Sequence, residues 1–170
     1  MSATTLTEGT VAPDFELPGV DGADHSLDEY DAEALVVVFT CNHCPVAQDY
    51  EERTVALQDD YDASELQVVA INPNDEVEYP EDDFEAMVER AEEAGFNFPY
   101  LRDESQDVAE AYGPTATPHY FVFDGDRELA YEGALDDDRD PEDATVSYVH
   151  EAVDAVLAGE EVDVEGMPAR

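Results

Sequence analysis

The stretch ALVVVFTCNHCP, residues 34–45, carries the reading of the fold. Its first six residues, Ala34 to Phe39, form an unbroken apolar run rich in β-branched valine. Such a run, with no polar alternation, predicts a central strand buried on both faces. Beyond it, Val46, Tyr50, Leu57 and Tyr61 recur at helical spacing and predict an amphipathic helix over about 44–61. Cys41 and Cys44, the two cysteines of the 170-residue chain, therefore fall where a buried strand becomes a helix.

Working outward, residues 11–27 read as short strands around Phe15 and from His25 to Leu27, broken by Pro18-Gly19 and Asp21-Gly22 turns. LQVVAIN at 66–72 predicts a second buried strand, ended by Pro73 and Asn74-Asp75. A helix follows with Phe84, Met87, Val88 and Ala91 on one face and Gly95 as its stop. A shorter helical segment at about 106–112 precedes GPTATP, and HYFVF at 119–123 pairs through Asp124-Gly125 with ELAYEG at 128–133 as a hairpin. The last helix is predicted over about 142–158, with Val146, Val149, Val153, Val156 and Leu157 inward. This order is α/β with a mixed sheet. With no repeat or linker, the chain reads as one domain, 1–170, with its core at about 11–158 and a short tail from 159.

Composition limits the function. A chain of this length can bury a core without covalent staples, so the cysteines are not needed for folding. The 46 Asp and Glu against 6 Lys and Arg give a net charge of -40, a surface that repels nucleic acid and anionic lipid. Hydrophobic content of 43% in periodic segments argues against disorder. The expected setting is a salt-rich cytosol, where self-repulsion is screened within roughly 3 Å at 1 M salt. The N-terminus shows no basic region followed by an apolar run, and no apolar stretch reaches spanning length, so a soluble cytoplasmic protein is expected. In a reducing compartment a close cysteine pair is more often catalytic or metal-binding than structural.

Three chemistries fit the pair. As a redox couple, one thiol must ionise, and a helix start favours that through unpaired amides and the positive end of the macrodipole. On this reading Cys41 is the exposed attacker with a lowered pKa, Cys44 is the resolving partner one turn on, and a protonated His43 stabilises the thiolate further. As a zinc clip, the pair needs two more ligands from His25, His43, His119, His150 or a carboxylate. As inert buried thiols, the two would only pack. In Thr115-Ala-Thr-Pro-His119, Pro118 removes an amide donor at the edge of a strand, and His119 is either a redox-tuning neighbour or a partly exposed strand residue. His150 falls on the apolar face of the last helix and reads as a packing histidine, and His25 carries no signal.

FTCNHCP, INPND, YPEDDFEAM, FPYLRDESQDVAEAYG, TPHYFVFD and YEGALDDDR together resemble the peroxiredoxin-like branch of the thioredoxin superfamily, of the alkyl hydroperoxide reductase/thiol-specific antioxidant type. The resemblance runs from about Val11 to Leu157. It implies a thioredoxin-like fold with an N-terminal hairpin extension and a helical insertion, a dithiol at Cys41 and Cys44, and a cis Pro118 packed opposite it. It also implies that Thr117 offers backbone groups to an extended thiol substrate. An ordinary peroxiredoxin carries Thr three residues before its peroxidatic cysteine, whereas Thr40 precedes Cys41 by one residue and Cys44 by four. The tail has no further cysteine, so a disulfide within the chain joins Cys41 to Cys44. The expectation is a thiol-disulfide oxidoreductase, with a thiol-dependent peroxidase and a metal-binding or metal-delivery protein as alternatives. The expected catalytic residues are Cys41, Cys44, His43 and Pro118, and the expected substrate contacts are Thr40, Asn42, Pro45, Thr117 and His119. No cofactor or bound metal is expected, and the partners are a protein or small-molecule thiol or disulfide and a thiol reductant.

Overall fold

The computed structural model describes residues 5–42, 44–74, 79–164 and 166–169. A small antiparallel hairpin, β1 (Glu16–Pro18) with β2 (Asp24–Ser26), precedes a five-stranded sheet. The sheet comprises β3 (Ala34–Phe39), β4 (Leu66–Asn72), β5 (Tyr100–Arg102), β6 (His119–Phe123) and β7 (Leu129–Gly133), in the order β5-β4-β3-β6-β7. β3 runs parallel to β4 and antiparallel to β6, so the predicted central strand is the middle of a mixed sheet. Helix α1 (Pro45–Asp59) connects β3 to β4, as a parallel crossover requires. Between β4 and α3 (Asp107–Tyr112) the chain inserts α2 (Phe84–Ala94) and β5, and β5 forms the edge. Helix α4 (Tyr148–Leu157) closes the order.

The alternation of side chains along β3 divides the core in two. Ala34, Val36 and Val38 pack with Tyr50 and Leu57 of α1, Met87 of α2 and Val149, Ala152 and Val153 of α4. Leu35, Val37 and Phe39 face the other way, onto Val108 and Tyr112 of α3 and Phe15 and Leu17 of the N-terminal segment. Because both faces are covered, a valine run without polar alternation is the correct pattern for this strand.

Helix α1 is also pinned at its flank. Arg53 donates to Asp136 at 2.6 Å, beside a Tyr50 hydroxyl that donates to the same carboxylate at 2.8 Å. From α2, Arg90 forks onto Glu51, with its Nε at 2.8 Å. These ties hold the middle of α1 to α2 and to the segment after β7.

One element is shorter than its pattern. The last helix begins at Tyr148, because Asp137 accepts from the N–H groups of Thr145 and Val146 and from the Thr145 hydroxyl, holding that stretch as a turn. Ser147 then caps the helix through the N–H of His150. Val146 is consequently exposed instead of inward. His150 is half-buried, with its ring against Tyr61 and its Nε2 2.8 Å from Asp60 at the flank of the helix.

Candidate functional site

Pro45 occupies the first helical position of α1, where its missing N–H costs nothing, and this makes Cys44 the N-cap. Cys44 is half-buried, while Cys41 lies three residues back, buried at 2% exposure beyond the end of β3. The expected order of exposure is therefore reversed: Cys44 is the outer thiol and Cys41 the inner one. Both are free thiols.

The electrostatics follow the geometry. Burial raises the Cys44 pKa, but hydrogen bonds from Thr117, from the N–H groups of Ala47 and Val46, and from Cys41 outweigh it, leaving the thiol below its ordinary value. Burial pushes Cys41 up to about 12; Thr117 opposes this, while the charges of Cys44 and Asp82 add to it. The expected low pKa of Cys41 is thus corrected. The helix-terminal amides reach the residue that caps the helix, and that residue is Cys44.

The facing wall is Thr117-Pro118, joined by a cis peptide bond. The Thr117 hydroxyl donates to Cys44 Sγ at 3.3 Å and lies 3.7 Å from Cys41 Sγ, and its carbonyl oxygen is 3.8 Å from Cys44 Sγ. One threonine therefore bridges the two thiols. Beside it opens a groove of ≈ 630 Å³, lined by Pro73, Asn74, Gln106, Ala109, Pro114 and Thr117 among others.

The remaining expected site residues divide. His43 lies outside the described residues. Thr40 is buried, continues the ladder through its N–H to Ile71 at 2.9 Å, and lines a void of only ≈ 10 Å³ with Pro118. Asn42 is buried too: its N–H donates to Asp82 at 2.5 Å, its side-chain oxygen accepts from Tyr100 at 2.8 Å, and its carbonyl accepts from Gln48 at 2.6 Å. These two residues shape the loop from below instead of presenting side chains to the groove. His119 is 1% exposed, not partly exposed, and both ring nitrogens are engaged, by the Thr115 N–H at 3.1 Å and by Glu132 at 2.6 Å.

Sequence reasoning missed Asp82. This carboxylate is fully buried, accepts from Asn42, Asn72 and Asn74, and anchors the dithiol loop to the end of β4. It sits in an acidic run, EDDFE, where nothing marks one carboxylate as internal. For a metal, the described residues bring together three side chains of ligand type at Asp124, Asp126 and Glu128 in the β6–β7 turn, away from the thiols. The third ligand that a zinc clip needs is not found beside Cys41 and Cys44 among the described residues.

A strand ending in a thiol pair at a helix start, faced by a threonine and a cis proline, is an arrangement that can be compared with known proteins. Residues 9–132 match the AhpC/TSA family. The chain belongs to the AhpC/TSA family. Among solved structures similar to this AhpC/TSA chain is a hypothetical protein from Sinorhizobium meliloti 1021, with a TM-score of 0.91 and 40% identity, covering 99% of this chain and 93% of the other. A thioredoxin domain of a thiol-disulfide oxidoreductase from Bacteroides vulgatus matches with a TM-score of 0.64 at 17% identity, over 76% of this chain and 90% of the other, a likeness that shows the fold. Among curated relatives, the thiol-disulfide oxidoreductase ResA of Geobacillus thermodenitrificans (strain NG80-2) is 27% identical over 71% of this chain. The alignment spans 66% of that relative's length. The fold of this AhpC/TSA chain is thus thioredoxin-like, as the motifs imply. No helix among its described residues is long and apolar enough to cross a membrane.

Proposed function

We propose that this AhpC/TSA chain is a thiol-disulfide oxidoreductase in which Cys44 attacks and Cys41 resolves. The observation that carries the reading is the N-cap position of Cys44, with the Thr117 hydroxyl 3.3 Å from its sulfur and a second thiol on the same threonine.

In the reduced protein the Cys44 thiolate attacks one sulfur of a substrate disulfide, forming a mixed disulfide and releasing the first substrate thiolate. That step removes the negative charge on Cys44, which had helped to keep Cys41 protonated. Cys41 then loses its proton and attacks the Cys44 sulfur. The Cys41–Cys44 disulfide forms, the second substrate thiolate leaves, and it takes up a proton. An external thiol reductant returns the pair to two thiols. The substrates are protein or small-molecule disulfides entering by the groove beside Thr117, and the setting is a salt-rich cytoplasm.

The family name favours a second reading, thiol-dependent peroxide reduction. Against it stands Thr40, whose side chain lines a small internal void and not the groove. Turnover with a thiol reductant, measured separately on a small disulfide and on hydrogen peroxide from dilute buffer to multimolar KCl, decides between them. Faster turnover of the disulfide, rising with salt, is expected. Turnover confined to peroxide overturns the exchange reading, and loss of activity with added KCl overturns the proposed setting.

A further inference from the structure

His119 opens β6 directly after Pro118 and lies opposite Phe39 in the sheet register. Its ring stacks on Phe121 with centroids 4.4 Å apart and an interplanar angle of 16°. The Thr115 N–H can only donate, so Nδ1, 3.1 Å away, must be the bare acceptor. Nε2 then carries the proton and donates it to Glu132 at 2.6 Å. Burial lowers the ring's pKa against the pull of Glu132, which suits this neutral form. The imidazole thus closes the segment Thr115–His119 on itself, and Thr117, which bridges the two thiols, lies inside that closure.

We propose that His119 is a positioning residue for the dithiol: by accepting the Thr115 N–H it holds the Thr115–Thr117 segment so that the Thr117 hydroxyl stays on Cys44. Glu132 fixes the tautomer that makes this acceptance possible. The inference rests on the exchange reading for its use in catalysis, but its test reads the ionisation of Cys44 and needs no turnover.

The test is peptide-resolved alkylation of Cys44 in the reduced full-length chain as a function of pH. Thr117→Val removes the hydroxyl and should slow alkylation below the midpoint by about three- to tenfold, the range for one lost hydrogen bond. His119→Phe keeps a stacking ring but has no acceptor, and it should move the midpoint upward by a similar amount. His119→Asn, whose side-chain oxygen can accept in place of Nδ1, should restore most of the wild-type profile. Adding His119→Phe to Thr117→Val should change nothing further. A folded His119→Phe variant with the wild-type midpoint, or a double variant whose shift is the sum of the two, overturns the proposal.

If His119→Phe does not fold, Glu132→Ala tests the same contact from a residue that is 36% exposed. It frees the ring to take the other tautomer and should raise the Cys44 midpoint. Loss of a nearby negative charge alone would lower it. Glu132→Gln loses the same charge but still accepts from Nε2–H, so its midpoint should lie below that of Glu132→Ala and not rise above the wild-type value. A fall in Glu132→Ala, or equal shifts in the two Glu132 variants, contradicts the assignment.

Discussion

A Cys41→Ser variant will still attack disulfides and will accumulate mixed disulfides through Cys44, whereas a Cys44→Ser variant will trap them far more slowly. The assignment opposes the order read from sequence, and ionisation is its reason. Burial pushes the Cys41 thiol up to about 12, so it stays protonated at neutral pH. The Thr117 hydroxyl and the helix-terminal amides hold Cys44 below its ordinary value, and Cys44 is also the more accessible thiol. The measurement is mass spectrometry of adducts recovered after exposing each reduced variant to a disulfide-labelled peptide. Adducts on Cys41 in Cys44→Ser at a rate equal to those on Cys44 in Cys41→Ser would refute the assignment.

The second large effect concerns stability. Asp82→Ala should cost about 3–5 kcal/mol, the range for leaving buried polar partners uncompensated. The carboxylate receives the Asn42 N–H and the side-chain amides of Asn72 and Asn74, while its backbone oxygen accepts from Arg102 at 2.8 Å. Alanine keeps the backbone contact and strands three donors. Asp82→Asn keeps one side-chain acceptor and should cost less. Urea unfolding of the three proteins gives the values, and a loss under about 1 kcal/mol in Asp82→Ala would show that the network does not hold the dithiol loop.

The sheet was legible because Ala34–Phe39 and Leu66–Asn72 need two covered faces, and only a central position supplies both. The site was legible as a place, since two cysteines between a strand and a helix have few other uses. Its internal order was not. Helical periodicity locates a boundary to within a few residues, and here one residue decides which thiol receives the helix-terminal amides. Pro45 was the available signal, because proline prefers the first helical position and so points to Cys44 as the cap. Asp82 stayed hidden for another reason. In so acidic a chain, carboxylates carry almost no information about burial, and what distinguishes this one is three amide donors, one from the dithiol loop and two from the end of β4. For His119 two readings stayed open, a redox-tuning neighbour or a partly exposed strand residue; its ring is buried, stacked on Phe121 and bonded to Glu132.

The central claim is that the thiol capping the helix, and not the one nearer the strand, is the reactive thiolate. Peptide-resolved alkylation of the reduced wild-type protein, followed from mildly acidic to strongly alkaline pH, tests it most directly. The expected result is Cys44 modified first, with a midpoint below its ordinary value, and Cys41 modified only at a clearly higher pH. Modification of Cys41 at or below the pH that labels Cys44 would contradict it.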